Sequence, residues 1–314
     1  MISATYSSCR SGFFPTVRAL AGLLIGCILA GDALGSDPET QVPETQVIEH
    51  IDLVYGRVGD VDLKLDLYVP KQSADDGKDV ATSLPTVVMI HGGGWQMGNK
   101  RQLRQAAKEM ATEGFVAATV GYRLAPEHRF PAAYQDVACA VRFMRAHAGD
   151  YRIDSKRIAA MGYSAGAHLA MMLGTVDPGD DFAATGGWEK QNARVQAVVS
   201  YFGPTDLTTG AIPEASRRLV TDFMGGTRAQ KPDVYRRASP ATFLDPSDPP
   251  MLLFQGTRDP LVPFQQAIRM ADLMTQNSVG GRVELLVGAS HGWSGETLER
   301  TNRSTIEFMR KNLR

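Results

Sequence analysis

Gly162-Tyr163-Ser164-Ala165-Gly166 sets a serine between two glycines, and the residues on either side make the spacing informative. The strand-like Ile158-Ala-Ala-Met161 runs into it, and the helix-like Ala165-Gly-Ala-His-Leu-Ala-Met-Met-Leu173 runs out of it. So sharp a strand-to-helix turn strains the serine backbone and demands small flanking residues. It also lifts the hydroxyl clear of the sheet, beside the first turn of the helix. A hydroxyl presented in this way suits nucleophilic attack on an acyl carbon, and Ser164 is the candidate nucleophile.

His91-Gly92-Gly93-Gly94-Trp95 follows directly after the apolar run Thr86–Ile90. Three consecutive glycines are costly in chain entropy, so something must require bare backbone there. Acyl transfer supplies the reason, because the tetrahedral oxyanion is held by N–H groups at close range. The N–H groups of Gly93, Gly94 and Ala165 are the candidate donors, each worth about 3 kcal/mol to the transition state. A phosphate-binding loop is the other use of such glycines, but neither Gly-Lys-[Ser/Thr] nor Gly-x-Gly-x-x-Gly follows. His91 is expected to anchor the loop, and Trp95 to touch substrate.

A serine needs a base, and the chain offers six histidines. His50 and His147 fall at expected surface positions. His168 lies one helical turn beyond Ser164, where the helix should carry it away from the hydroxyl. His291, in Gly288-Ala-Ser-His-Gly-Trp293, follows the last apolar run, Val283–Val287. Sites in open α/β sheets lie at the carboxyl ends of strands, so His291 is the candidate base. Asp259 leaves another such run, Met251–Phe254, through a glycine, and is the candidate acid that orients the imidazole. Asp206 is the second choice, whereas Asp245 and Asp248 precede their strand. Activity should fall on the acid side, because an imidazolium cannot act as the base.

These groups need a frame that gathers several strand ends. Buried strands are expected at Thr86–Ile90, Phe115–Val120, Arg157–Met161, Val195–Ser200, Met251–Phe254 and Val283–Val287, with helices near 99–112, 132–148, 165–174, 263–276 and 295–312. Strand and helix alternating this often predict an α/β domain with a mainly parallel central sheet and helices on both faces. Val61, Leu63, Leu65, Leu67 and Val69 alternate with polar residues, which predicts a half-buried strand of an antiparallel pair at the sheet edge. Asp206–Arg237 breaks the rhythm and is expected to form a small cap insertion.

The 314 residues carry 33 Lys+Arg against 34 Asp+Glu, so no basic excess favours nucleic acid. Residues 1–35 resemble a signal peptide: Arg10 and Arg18, the apolar Ala19–Ala30, then small residues at Ala33-Leu34-Gly35. Twelve apolar residues rise about 18 Å as a helix, short of the roughly 30 Å a stable membrane span needs. Export to the periplasm or beyond the cell is therefore expected. Leu24-Ile25-Gly26-Cys27 offers the alternative of a lipid anchor through Cys27. Residues 36–47 hold the duplicated Pro-Glu-Thr-Gln-Val and read as a linker, leaving 48–314 as the catalytic domain. Of the three cysteines only Cys139 would survive cleavage, as a small buried hydrophobe.

Taken together, these motifs resemble the α/β-hydrolase superfamily, in its acetyl-xylan/feruloyl-esterase-like and hormone-sensitive-lipase-like branches. The resemblance rests on His91–Trp95 with Gly98 and Lys100, Tyr122-Arg-Leu-Ala-Pro-Glu127 with Phe130-Pro131 and Asp136, and Gly162–Ala170. It continues through Ala238-Ser-Pro240, Pro250–Gly256, Asp259, Val262-Pro263 and His291-Gly292. Tyr163 stands where lipase-like relatives often carry Asp, and Ala167 where many esterases of both branches carry a second Gly; the two departures favour the acetyl-xylan-esterase-like branch. The resemblance implies a serine carboxylesterase acting on short acyl esters, acetyl or feruloyl groups on plant polysaccharide among them, with no metal or organic cofactor. Amide or formamide hydrolysis on the same fold is one alternative, and a catalytically inactive binding protein another. Phe202, Trp188 and Trp293 join Trp95 as candidate pocket residues.

Overall fold

The central strands carry apolar runs because both of their faces are covered. In β3 (Leu84–Ile90), Val88 and Ile90 enter one hydrophobic cluster, while Val87 and Met89 enter the other. β7 (Met251–Gly256) divides in the same way, with Met251 and Leu253 on one side and Leu252 and Phe254 on the other. Continuous apolar runs are what a sheet buried on both faces requires. The structure is a computed structural model and describes residues 46–71, 83–177, 179–180, 182, 184–210 and 212–314. All of these lie in one compact unit, Thr40–Arg314.

The remaining strands are β1 (Val47–Val58), β2 (Val61–Pro70), β4 (Val116–Val120), β5 (Ile153–Tyr163), β6 (Val198–Tyr201) and β8 (Gly281–Leu286). They form one eight-stranded sheet in the order β1-β2-β4-β3-β5-β6-β7-β8. The β1–β2 and β2–β4 pairs are antiparallel, and all others are parallel. α1 (Arg104–Thr112) and α7 (Gly295–Asn312) cover one face. α2 (Ala132–Ala146), α3 (Ala165–Thr175) and α6 (Gln265–Gln276) cover the other. This is the α/β-hydrolase fold. The expected cap holds α4 (Glu214–Met224) and α5 (Pro232–Arg237), between β6 and β7.

Two details differ from expectation. β2 belongs, as expected, to an antiparallel pair at the sheet edge, but its partner β1, the outermost strand, has no counterpart in the sequence reading. Register shifts between His50 and Leu53 and between Val54 and Gly56 break the alternation that would have marked β1. Alternation also fails in the second half of β2, where Asp66 and Tyr68 are buried alongside Leu65 and Leu67. Asp66 is tolerated there because the buried Lys100 ammonium pairs with it. The expected signal peptide, Cys27 and the linker as far as residue 45 lie outside the described residues; Val47, placed in that linker, opens β1. Among the described residues no helix is long and apolar enough to cross a membrane.

Candidate active site

Ser164 sits between the end of β5 and the first turn of α3, with φ 53° and ψ −117°. Such a backbone is strained for any residue with a side chain, and strain of this kind persists only where the surroundings impose it. The flanking glycines show how tightly they do. A Cβ on Gly166 would stand 2.1 Å from the Ile90 carbonyl oxygen, and one on Gly162 2.4 Å from the Gly166 backbone. The Ser164 N–H donates to the Tyr201 carbonyl at 2.8 Å and ties the turn to β6.

Three strand ends meet at this serine. The Ser164 Oγ lies 2.8 Å from Nε2 of His291, which follows β8. His291 Nδ1 lies 2.7 Å from Oδ2 of Asp259, which follows β7. A carboxylate can only accept, so Nδ1 carries the proton and Nε2 is left free to accept from the serine hydroxyl. The Asp259 carboxylate is fully buried, and its Oδ1 accepts the N–H groups of Leu261 and Val262 at 2.8 and 2.9 Å. Gln255 Nε2 donates to Oδ2 at 2.9 Å and to the Val262 carbonyl at 3.0 Å. Sequence reasoning missed Gln255. Its signal was available, as one amide inside the otherwise apolar, wholly buried strand Met251–Gly256.

The glycine loop after β3 lies beside the serine turn, where a Cβ on Gly92 would stand 2.9 Å from the Tyr163 carbonyl oxygen and 3.4 Å from the Ser164 Cβ. Gly93 and Gly94 have φ 112° and 59°, and a Cβ on Gly93 would fall 2.1 Å from the Met97 carbonyl oxygen. Bare backbone is therefore obligatory at Gly93. The Gly93 carbonyl accepts from Gln96 and Met97, closing the turn, and Ala165 opens α3 immediately after the serine. Among the described residues, the N–H groups of Gly93, Gly94 and Ala165 have no protein acceptor.

His91 and His168 lie beneath this layer. His91 stacks on Tyr122 with ring centroids 4.3 Å apart, and its Nδ1–H donates to the Gly92 carbonyl at 2.8 Å. His168 is directed away from the Ser164 hydroxyl. Its Nε2–H donates to the Ala238 carbonyl at 2.6 Å, and its Nδ1 accepts from the Trp95 indole at 3.3 Å. Trp95 is accordingly no substrate contact. It is 4% exposed, stacked on Phe223 at 4.5 Å, and its positive φ of 60° turns the indole into the core. Trp188 is also remote from the site, donating to the Tyr55 carbonyl on β1. Phe202 and Trp293 are near it, with the Phe202 ring 4.6 Å from that of His291 and 5.3 Å from that of Trp293. Asp206, the second-choice acid, is occupied elsewhere by Thr208, Thr209 and Arg269. Burial opposes its charge, but the Thr208 hydrogen bonds and the Arg269 guanidinium outweigh burial and hold its carboxyl below the usual range. His50 and His147 are half-buried, Cys139 is buried and unpaired, and no metal-binding cluster occurs among the described residues.

Burial pushes the His91 and His168 imidazoles down to about 4, against a smaller opposing effect of their backbone hydrogen bonds. This has a consequence for stability. As pH falls from about 6.5, the unfolded chain binds protons that the native rings refuse until about pH 4, so stability falls through that window. For the fully buried His168 the effect is worth about 3 kcal/mol at its acid end. Asp248 acts in the opposite sense, its carboxyl pushed up to about 7 by burial and by the neighbouring Asp245 and Asp177. His168→Asn removes one histidine contribution and leaves Asp248 in place. The melting temperature of the variant, followed by calorimetry from pH 7 to 4.5, should therefore fall less steeply than that of the wild type. Parallel curves would show that His168 takes no part in the acid response.

Comparison with known proteins adds to this geometry. The family described as BD-FAE matches residues 65–274. The chain is 32% identical over 225 residues to Esterase LipC of Mycobacterium tuberculosis, an alignment covering 69% of this chain and 55% of that protein. The chain spans about half the length of the curated relatives it matches. A butyrate-bound thermophilic esterase from Thermogutta terrifontis superposes with a TM-score of 0.70 at 26% identity, over 83% of this chain and 93% of that one. The same esterase is also known phosphonylated by sarin. A truncated carbohydrate esterase from gut microbiota shares the fold, with a TM-score of 0.72 at 22% identity over 86% of this chain and 98% of that one.

Proposed function

Because this chain belongs to the BD-FAE family of α/β-hydrolases, we propose that it is a serine carboxylesterase for short-chain acyl esters. The observation that carries this reading is the hydrogen-bonded series Ser164–His291–Asp259, at 2.8 and 2.7 Å, beside three uncommitted N–H groups. In the first half-reaction His291 Nε2 takes the hydroxyl proton as Ser164 Oγ bonds to the ester carbon. The carbonyl oxygen becomes an oxyanion facing Gly93, Gly94 and Ala165. Asp259 stabilises the imidazolium without taking its proton. When the oxyanion collapses, the bond to the alcohol oxygen breaks and His291 protonates the departing alcohol. Water then attacks the acyl-enzyme with the same proton traffic, releasing the acid and restoring Ser164.

One feature of the structural neighbours supports short acyl groups: the Thermogutta esterase holds butyrate. The cap of this chain agrees with it. Arg217 and Arg218 are exposed on α4, unsuited to line a tunnel for a long acyl chain. Acetyl and butyryl esters should therefore react at least about tenfold faster in kcat/KM than palmitoyl esters, a difference of roughly 1.4 kcal/mol. An ester panel that includes acetylated xylan, run on the purified protein, tests this. Preference for palmitoyl below its solubility limit would make the protein a lipase. Residues 1–35 serve in this reading as an export signal, with Cys27 lipidation the alternative that mass spectrometry of the native chain distinguishes.

A further inference from the structure

The tetrahedral carbon carries four groups, and the site as described assigns three. Ser164 Oγ is bonded to it, the oxyanion faces the glycine loop, and the leaving oxygen lies within reach of His291 Nε2. The remaining direction is left for the acyl chain. Resting on the esterase reading above, we propose that Leu219 of α4 ends the acyl pocket and sets the longest acyl chain the enzyme accepts.

Leu219 reaches the loop from far along the chain. A Cβ built on Gly94 would stand 2.9 and 3.0 Å from the two Leu219 methyl carbons, so its isobutyl group lies against that glycine. Two contacts hold the helix in this position. Gln96 Nε2 donates to the Leu219 carbonyl at 3.3 Å and lies 3.5 Å from the Asp222 carboxylate. Phe223 stacks on Trp95 with parallel rings, and its carbonyl accepts the Phe130 N–H at 2.9 Å. α4 is thus fastened to the loop at Leu219 itself and within the next turn, at Asp222 and Phe223, and the leucine acts as a fixed wall. Its side chain stays half-exposed, unlike Val220 and Phe223, which enter the core. The neighbours beyond it are Arg217 and Arg218, paired with Glu214 and Asp222, which offer a longer chain no apolar continuation.

The test compares wild type, Leu219→Ala and Leu219→Phe on p-nitrophenyl acetate, butyrate and octanoate, and on a series of butyrate esters of different alcohols. Each methylene newly accommodated is worth about fourfold. Leu219→Ala should raise the octanoate-to-butyrate ratio of kcat/KM by about tenfold, and Leu219→Phe should lower the butyrate-to-acetate ratio by a similar factor. The alcohol series should change by less than about threefold in either variant. Each ratio is taken within one variant, so partial unfolding cancels. Hydrolysis by the wild type with unchanged acyl ratios in both variants would overturn the assignment of Leu219 and leave the esterase reading intact. A shift in the alcohol series in place of the acyl series would overturn it too, by putting Leu219 on the leaving-group side. A wild type that hydrolyses none of these esters would overturn the esterase reading and this inference together.

Discussion

Ser164→Ala is expected to leave a folded protein whose esterase activity has dropped by about 10⁴-fold or more. The substitution keeps the Cβ and therefore the steric fit between Gly162 and Gly166, and it removes only the oxygen that bonds His291. The proposed oxyanion donors are backbone groups and remain, so a small residual rate above that of water should persist. Steady-state kinetics on p-nitrophenyl butyrate, with circular dichroism to verify the fold, reads the result. Activity within tenfold of wild type would place the nucleophile elsewhere.

His291→Ala should cost a comparable factor, and its contrast with His168→Asn separates a base from a brace. The His291 side chain lies at the cleft between Ser164 and Asp259, so its loss should lower kcat with little change in melting temperature. His168 is wholly buried and joins Trp95 to Ala238, so its replacement removes hydrogen bonds inside the core. That change should cost roughly 1–3 kcal/mol of stability while kcat/KM stays within about tenfold of wild type. Equal kinetic losses in two well-folded variants would mean that the base has been assigned to the wrong histidine.

The central strands were legible because burial on both faces leaves an uninterrupted apolar run, and Val87–Ile90 needs no alternation to be recognised. Ser164, Asp259 and His291 could be singled out for a related reason: each follows such a run, and strand ends are where this architecture gathers its polar groups. β1 escaped because two register shifts scramble its pattern and leave Ile48, Ile51 and Val54 exposed. Trp95 was misplaced because its positive φ, which turns the indole inward, leaves no mark in the order of residues. Leu219 carried no signal at all. Its role depends on a helix folding back onto a loop, with Gln96 placed 123 positions before the leucine it holds.

The sheet order also bears on when the protein can act during its own synthesis. Ser164 is made 127 positions before His291, and β5, which delivers it, lies at the middle of the sheet, whereas β8 is the strand at its far margin. In the proposed esterase reading, a growing chain therefore carries its candidate nucleophile well before its candidate base. Until β8 docks on β7, Ser164 would lack the imidazole beside it that is to take its proton. Esterase activity is then expected to appear only once β8 has closed the sheet, and activity followed during refolding would report that step.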